Sequence, residues 1–184
     1  QGAMRNYVAH PAHLAYKLPD NVSTLEGALV EPLCVGMHAA QLGEVKLGKT
    51  VVILGAGCIG LTTLASCKAM GASKIIITDL FQNRLDKALE MGADAVINGQ
   101  ETDTVARVME LTGGMGADVV FETAGSRVTA AQTEPLTKRG GTIVIVGNVM
   151  GDTPMNFYKI AHKELVIKTV HRYRNVFPLA VQAI

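Results

Sequence analysis

From residue 49 onward, short apolar runs alternate with longer segments that mix apolar and polar residues. The runs are rich in Val and Ile and predict six strands, at residues 50–55, 74–79, 93–98, 117–123, 142–147 and 164–170. Intervening segments predict helices at 58–71, 81–92 and 102–114, and a helix with a turn at 128–141. Strands that are apolar at nearly every position are buried on both faces. The pattern therefore predicts a doubly wound parallel sheet, an α/β Rossmann fold of about six strands with helices on both faces.

The first 45 residues have a different pattern. Those before Ser23 alternate loosely between apolar and polar and include two prolines, so we expect them to be the last strands of another domain. Ser23 and Glu26 have the spacing of a capping box that starts a helix, and Pro32 predicts that two short helices follow rather than one. The chain thus divides into three predicted parts: 1–22, a domain remnant; 23–175, the α/β domain; and 176–184, the start of a truncated helix.

Composition narrows the classes of function. Lys and Arg number 17 against 16 Asp and Glu, and aromatic residues make up 4% of the chain. This balance argues against a protein that binds nucleic acid or a membrane surface through a basic field. Residues 50–67 carry no charge, as a membrane helix would, but the glycines at their centre favour a strand, a turn and a helix. Three cysteines without paired spacing favour a reducing compartment, and we expect a cytoplasmic protein.

The first strand and helix after residue 49 are joined by Gly55-Ala56-Gly57-Cys58-Ile59-Gly60, a G-x-G-x-x-G sequence. In this position the first glycine permits a tight turn, the second lets the backbone approach a pyrophosphate, and the third lets the helix pack on the strand. The free N–H groups at the helix start attract phosphate. The sequence therefore predicts a phosphate-binding loop, with a glycine turn that binds no ligand as the alternative.

Asp79 bears on the choice of dinucleotide. It ends the second predicted strand, 19 residues after Gly60 (79 − 60), where an acid accepts hydrogen bonds from an adenosine ribose. A carboxylate there repels the 2′-phosphate of NADP, so the pattern favours NAD. Arg84, in the next helix, could hold a 2′-phosphate or flank the adenine, and Asp79 could be an ordinary turn residue.

Longer stretches carry a resemblance to a known family. They read YKLPDNVS at 16–23, ALVEPLCVGMHA at 28–39, VVILGAGCIGL at 51–61, TDLFQNRLDKALEMGAD at 78–94 and VHRYRNVFP at 170–178. On these residues the chain resembles the zinc-containing medium-chain dehydrogenases, and within them the polyol branch that acts on sorbitol and xylitol. The EPL-x-V-G-x-H pattern is typical of the superfamily, and the V-x-R-Y-x-N-x-x-P pattern is typical of the polyol branch.

The resemblance implies an NAD-dependent oxidation of a secondary alcohol of a polyol to a ketose, with zinc polarising the alcohol oxygen. It places Glu31 at the catalytic zinc and substrate, as a ligand or through the metal-bound water, and Arg172 and Tyr173 at the polyol hydroxyls. It also implies a homo-oligomer, either a dimer or a tetramer. Cofactor contacts are implied at Gly55, Gly57, Cys58, Ile59, Gly60, Asp79, Arg84, Val146, Gly147, Asn148, Val170, His171 and Arg172.

One departure from the family's pattern limits this chain. The other zinc ligands of the family, a cysteine and a neighbouring histidine–glutamate pair, lie in an N-terminal barrel-like catalytic domain, and no such constellation occurs in this sequence. Catalytic zinc takes three protein ligands and an open position, and Glu31 supplies at most one. We therefore expect the chain to be the cofactor-binding portion of a larger enzyme and to be inactive alone, with residues 1–22 as the remnant of the catalytic domain.

These assignments have plainer alternatives. Glu31 could cap a restarted helix, and Arg172 and Tyr173 could be surface residues at a strand end. The enzyme could be another zinc-dependent medium-chain alcohol or threonine dehydrogenase. In a different class, the chain could be a module that senses NAD without catalysis.

Overall fold

The structure, a computed structural model, describes residues 4–184. A turn of 3₁₀ helix at Ala12–Leu14 comes first. The elements after it are α1 (Thr24–Gly27), α2 (Val30–Leu42), β1 (Thr50–Leu54), α3 (Cys58–Ala69), β2 (Lys74–Asp79), α4 (Gln82–Glu90), β3 (Ala95–Asn98), α5 (Thr104–Leu111), β4 (Ala117–Glu122), α6 (Arg127–Leu136), β5 (Thr137–Ile145), α7 (Phe157–Lys163), β6 (Val166–Thr169) and α8 (Phe177–Ala183).

The strands form one parallel sheet of six in the order β3-β2-β1-β4-β5-β6. Val52 of β1 lies beside Ile76 of β2 and Val120 of β4, so β1 is the point from which the chain builds the two halves of the sheet. In open α/β sheets, ligands bind at this point, beyond the carboxyl ends of the strands. The predicted doubly wound parallel sheet is confirmed.

Alternate residues of β1 point to opposite faces of the sheet, and both faces are covered. Val51 and Ile53 pack with side chains of α2, α3 and α4. Val52 and Leu54 pack with side chains of α5 and α6. All four are fully buried. Burial on both faces explains why the strand sequences are almost uninterrupted runs of Val and Ile.

Two helices occupy the segment that contains Pro32, as predicted, but the break between them comes earlier than the proline. Ser23 and Glu26 form the predicted capping box at the start of α1. Pro32 is the third residue of α2. At this position the missing N–H costs little, because the first N–H groups of a helix have no intrahelical partner.

Strand β5 begins earlier than the sequence pattern indicates. Residues 137–141 are predicted as helix and turn, yet they belong to β5. Thr137 pairs with Ala117 and Thr142 with Val119, so two steps along β4 (119 − 117) correspond to five along β5 (142 − 137). The extra residues bulge out of the ladder, and their polar Lys-Arg-Gly-Gly sequence hides the strand from a search for apolar runs.

The described part of the N-terminal segment, residues 4–22, contains no strand; residues 1–3 lie outside the described residues. Tyr16 stacks on Phe177 with 4.9 Å between ring centroids, and most of the segment is exposed. The expectation of strands is therefore wrong for this part, because extended chain without a neighbouring strand has no partners for its N–H and C=O groups. The domain boundaries at residues 22 and 175 stay predictions.

The uncharged stretch at residues 50–67 is divided between β1 and α3, with the glycine loop between them. This division is the predicted strand, turn and helix. Across residues 4–184, none of the helices combines the length and the apolar character needed to cross a membrane.

Candidate functional site

A cleft of about 380 Å³ opens beyond the carboxyl ends of β1, β2 and β4. Its walls come from the ends of these strands and from the first turns of α4 and α6. The lining residues include Gly55, Thr78, Asp79, Arg84, Ala124 and Thr129. The cleft therefore lies where a doubly wound sheet binds its ligand.

The glycine loop joins β1 to α3, and its three glycines have different surroundings. Gly55 has φ +108°, a conformation that favours glycine. A β-carbon on Gly60 would collide with the carbonyl oxygen of Gly55, so this glycine lets α3 pack against the end of β1. A β-carbon on Gly57 would have no protein atom within 4 Å. The space next to Gly57 is therefore open, as the approach of a phosphate requires.

The start of α3 can bind an anion. Gly57 is the N-cap, and no side chain caps the helix. The N–H groups of Cys58, Ile59 and Gly60 therefore lack intrahelical partners, and the helix dipole adds a partial positive charge. This set of backbone donors fits the pyrophosphate of a dinucleotide.

Asp79 ties the end of β2 to the glycine loop, and its side chain is 7% exposed. Oδ2 accepts a hydrogen bond from Ala56 N at 2.8 Å, and Oδ1 accepts from Leu80 N at 2.8 Å and Phe81 N at 3.0 Å. A carboxylate has about four lone-pair sites, so about one remains for a ligand. Asp79 thus shapes the loop as well as presenting a charge to the cleft, a role that the sequence analysis does not include.

Arg84 lies next to the same carboxylate. Its Nη1 is 3.5 Å from Asp79 Oδ2, and its side chain is 48% exposed. The guanidinium also lies 4.9 Å from the centroid of the Phe81 ring. Its positive charge offsets part of the repulsion between Asp79 and a 2′-phosphate, so the two side chains act against each other in the choice of cofactor.

A second group of predicted residues follows β5 and β6. The N–H groups of Val146 and Gly147 donate to the carbonyl oxygen of Glu122 at 2.8 and 2.9 Å, and Val170 N donates to Ile145 O at 2.8 Å. These bonds bring the segments after β5 and β6 side by side at the carboxyl edge of the sheet. The other members of the group, Asn148, His171 and Arg172, are exposed.

The loop after β6 is held in a strained conformation. Arg172 has φ +61° and Asn175 has φ +56°, a region that costs a residue with a β-carbon about 1–2 kcal/mol. Between them, Tyr173 packs against the apolar cluster that contains Val176. Strain of this kind is concentrated at binding and catalytic loops.

Glu31 and Arg172, two of the residues assigned to substrate and metal, both act on the pKa of the third, Tyr173. Burial raises the pKa of Tyr173, the charges of Glu31 and Cys34 raise it further, and Arg172 opposes the rise. Burial and the charge of Glu31 also raise the pKa of the Cys34 thiol to about 11. The fold therefore brings these residues into one neighbourhood, between α2 and the loop after β6.

Glu122, which the sequence analysis does not identify, is fully buried at the end of β4. Its Oε1 accepts from Ala124 N at 3.1 Å, Gly125 N at 2.9 Å and Thr129 Oγ1 at 2.7 Å. Within the described residues, its Oε2 has no hydrogen-bond partner. Leaving a buried oxygen unpaired costs about 1–3 kcal/mol. The available signal was a lone acid at the end of an apolar strand.

Thr123, the next residue, is also missing from the sequence analysis. Its Oγ1 lies 2.9 Å from both Leu54 O and Gly55 O. Its hydroxyl therefore holds the glycine loop from the side of β4. Together, Glu122 and Thr123 connect β4 to the loops on both sides of the cleft.

Glu31 lies exposed in the first turn of α2. The residues between 4 and 184 include no group of three or more His, Cys, Asp or Glu side chains that could hold a metal ion. These residues therefore do not fit a complete zinc site, and Glu31 is a candidate for a single contact.

The sheet order, the open start of α3 and the acid at the end of β2 define a Rossmann α/β domain with a phosphate loop of the dinucleotide type. The family described as zinc-binding dehydrogenase matches residues 58–184. The chain belongs to this family, and the resemblance to the zinc-containing medium-chain dehydrogenases is confirmed.

Curated relatives match almost the whole chain. It is 54% identical to the uncharacterized zinc-type alcohol dehydrogenase-like protein YdjJ of Escherichia coli, over 100% of the chain and 53% of the relative. It is 41% identical to human sorbitol dehydrogenase (98% and 51%) and 38% identical to D-xylulose reductase of Morganella morganii (98% and 54%). The resemblance to the polyol branch is thus confirmed, and the chain spans about half the length of the curated relatives it matches.

Solved structures share the fold. An Escherichia coli oxidoreductase/dehydrogenase of unknown specificity is 53% identical with a TM-score of 0.97, over 100% of this chain and 52% of that one. A zinc-binding dehydrogenase from Sinorhizobium meliloti bound to NADP is 31% identical (TM-score 0.89, 94% and 52%). An alcohol dehydrogenase from Escherichia coli complexed with NADH is 26% identical (TM-score 0.87, 94% and 51%).

Proposed function

We propose that this domain binds NAD and that the whole protein is a zinc-dependent polyol dehydrogenase. Its reaction would oxidise a secondary alcohol of a sorbitol-like or xylitol-like substrate to a ketose. The observation that carries the proposal is the uncapped start of α3, open next to Gly57 and adjacent to the carboxylate of Asp79. One βαβ unit thereby offers donors for a pyrophosphate and an acceptor for a ribose.

In this proposal the cofactor extends from the cleft to the segments after β5 and β6, and the two ends of the site have distinct tasks. The N–H groups at the start of α3 would hold the pyrophosphate, and Asp79 and Arg84 would border the adenosine. The segments 146–148 and 170–172 would border the nicotinamide. Bound NAD would supply the acceptor for the hydride that leaves the alcohol carbon.

The geometry of Asp79 supports NAD over NADP. Three backbone N–H groups fix its carboxylate, so it cannot turn away from the cleft to admit a 2′-phosphate. Arg84 is already near this carboxylate, which reduces its capacity to serve a phosphate. One solved relative holds NADP and another NADH. The family likeness therefore does not favour either cofactor, and the preference for NAD rests on Asp79 and Arg84.

The loop after β6 supports a substrate with several hydroxyls. The guanidinium of Arg172 offers five N–H donors and the phenol of Tyr173 a donor and an acceptor. The likeness to sorbitol dehydrogenase and D-xylulose reductase supports the same class. Glu31 would give zinc one contact in the whole protein, which we further propose to be a cytoplasmic homo-oligomer, a dimer or tetramer.

Calorimetric titration of the purified protein with NADH and NADPH tests the cofactor part of the proposal. We expect both to bind and NADH to bind more tightly, because only NADPH carries a 2′-phosphate, which the carboxylate of Asp79 repels. Equal affinities would show that Arg84 outweighs Asp79. No heat from either ligand at millimolar concentration would reject the dinucleotide site.

Steady-state kinetics of the whole protein test the substrate class. With NAD, xylitol and sorbitol should be oxidised with a higher kcat/KM than 2-butanol or threonine. A preference for threonine, or for a simple alcohol, would assign the protein to another branch. NAD binding without turnover of any of these would favour the sensing module.

A further inference from the structure

Glu122 joins two turns that leave neighbouring strands. Its side-chain Oε1 accepts hydrogen bonds from Ala124 N and Gly125 N in the turn after β4. Its carbonyl oxygen accepts from Val146 N and Gly147 N in the turn after β5. One residue therefore holds both turns, the first through its side chain and the second through its backbone.

The two turns also pack directly on each other. A β-carbon on Gly147 would collide with Gly125 N and would lie 2.5 Å from Glu122 Oε2. A β-carbon on Gly125 would lie 3.2 Å from the backbone N and O of Asn148. Any shift of the carboxylate is thus passed to the backbone of residues 147–148, since no flexible side chain lies between them.

The carboxylate is also anchored from the opposite side. Thr129, in the first turns of α6, donates to Oε1 at 2.7 Å. Oε2, which faces Gly147, has no hydrogen-bond partner within residues 4–184. All the hydrogen bonds of the side chain therefore pull on one oxygen, while the other is held against Gly147 by packing alone. This arrangement makes the position of residues 146–148 sensitive to the charge and shape of this one group.

We propose that Glu122 is a positioning residue that sets the turn 146–148 for contact with the nicotinamide half of the cofactor. It does not itself touch the cofactor, because it is fully buried. The inference rests on the proposed function, since it assumes that the turn after β5 borders the nicotinamide. The phosphate loop and Asp79 receive their own hydrogen bonds from other groups. Ala124, which donates to Glu122, also lies against Gly55, so we expect a small effect at the adenosine half and a larger one at the nicotinamide half.

The test compares two ligands that differ in the nicotinamide, NADH and ADP-ribose, by calorimetry on the wild-type protein and on Glu122→Gln. Glutamine keeps the shape of the side chain but loses the charge that strengthens the bonds to the turn after β4. Loss of one charge-assisted contact predicts that NADH binds about tenfold more weakly, while the affinity for ADP-ribose changes less than about twofold. Glu134→Gln is the matched control, because Glu134 is a poorly exposed glutamate paired with Lys163 outside the cleft. It should change neither affinity.

Thermal unfolding is recorded for each variant, so that a folding defect is separated from a binding defect. If Glu122→Gln does not fold, Thr129→Val and Thr129→Ser replace it, since valine removes the hydroxyl that donates to Oε1 and serine keeps it. Because Thr129 also lines the cleft, the two variants are compared with each other: valine should weaken NADH binding more than serine does, and should weaken ADP-ribose binding less than NADH binding.

The outcomes separate the two proposals. Equal losses for NADH and ADP-ribose, or no loss of either, would overturn the role of Glu122 and leave the proposed function standing. A wild-type protein that binds neither ligand would overturn the proposed function and this inference with it. A selective loss of NADH affinity supports both.

Discussion

In the binding mode that we propose, the cofactor site has an adenosine end and a nicotinamide end, and the two are constructed differently. The adenosine end comes from one continuous unit, β1, α3 and β2, in which Asp79 receives its hydrogen bonds from backbone N–H groups within 23 residues along the chain. The nicotinamide end is assembled from turns after three strands, β4, β5 and β6. Its contacts join turns that follow different strands: Gly147 N donates to Glu122 O, and Val170 N donates to Ile145 O.

The acceptor and the strained residue also differ. The side chain of Asp79 is nearly buried and the positive φ of the phosphate loop falls on a glycine, Gly55, whereas Arg172 is exposed and carries a positive φ on a residue with a β-carbon. A local unit can form its site as soon as its own strands pair. A site built from separate turns depends on the packing of the whole sheet. The adenosine end is therefore preorganised by the phosphate loop, and the nicotinamide end by groups such as Glu122.

The largest expected effects concern two glycines of the phosphate loop. Substitution of Gly60 should affect stability, and substitution of Gly57 should affect cofactor affinity. Gly60→Ala places a methyl group against Gly55 O, and overpacking of this kind should lower the free energy of unfolding by about 3 kcal/mol. Gly57→Ala places its methyl group in open space, so the only cost is that of a poorer N-cap, at most about 1 kcal/mol, while NADH affinity falls. Chemical denaturation and calorimetry on both variants measure the two effects.

A stable Gly60→Ala protein would contradict the packing role of the third glycine. If Gly57→Ala bound NADH as tightly as the wild type, the phosphate would not approach this position. Gly57 has φ −73°, so alanine at this position meets neither a clash nor a left-handed backbone, and a loss of affinity reports on the ligand.

The next effect concerns the charge of Asp79. Asp79→Asn should weaken NADH binding about tenfold or more, since hydrogen bonds to a charged group contribute about 1.5–3 kcal/mol. NADPH should lose less, because the repulsion of its phosphate is removed at the same time. The ratio of the two affinities is the quantity to follow, since the amide also disturbs the N–H groups of Ala56, Leu80 and Phe81 and lowers stability. Asp86→Asn, on the exposed face of α4, is the control and should leave the ratio of NADH to NADPH affinity unchanged. If Asp79→Asn also left this ratio unchanged, Asp79 would have no part in the choice of cofactor.

The same division explains what could be predicted from the sequence. The phosphate loop and Asp79 lie within one unit whose spacing is characteristic, so residue patterns suffice to locate them. Arg172 and Tyr173 have no such spacing, and only the resemblance identifies them. Neither the residue pattern nor the resemblance identifies Glu122, because its role comes from the packing of two turns that follow different strands and share no characteristic spacing. The early start of β5 is hidden for a related reason, since its bulge interrupts the apolar run.

At the nicotinamide end, Arg172→Leu tests the substrate contact in the whole protein. Losing a hydrogen bond to a remote hydroxyl costs about 1–3 kcal/mol, which predicts a fall of roughly 5- to 150-fold in kcat/KM for xylitol or sorbitol. The rate with 2-butanol, which cannot make this contact, should hardly change at saturating NAD. Equal fractional losses for both substrates would assign Arg172 to the cofactor instead.

The smallest expected effect tests whether the positive φ of Arg172, at the nicotinamide end, costs stability. Arg172 has φ +61° and Glu164, at the end of α7, has φ +54°. Glycine relieves a left-handed conformation worth about 1–2 kcal/mol but loses about 0.5–1 kcal/mol through its freedom in the unfolded chain. Arg172→Gly and Glu164→Gly should therefore each raise the free energy of unfolding by about 0.5 kcal/mol. Arg174→Gly, in the same loop without a positive φ, should instead lower it, and denaturant titrations can resolve the difference in sign. If Arg172→Gly is destabilising while Glu164→Gly is not, contacts of the Arg172 side chain hold the loop, and the contrast between a relaxed adenosine end and a strained nicotinamide end fails.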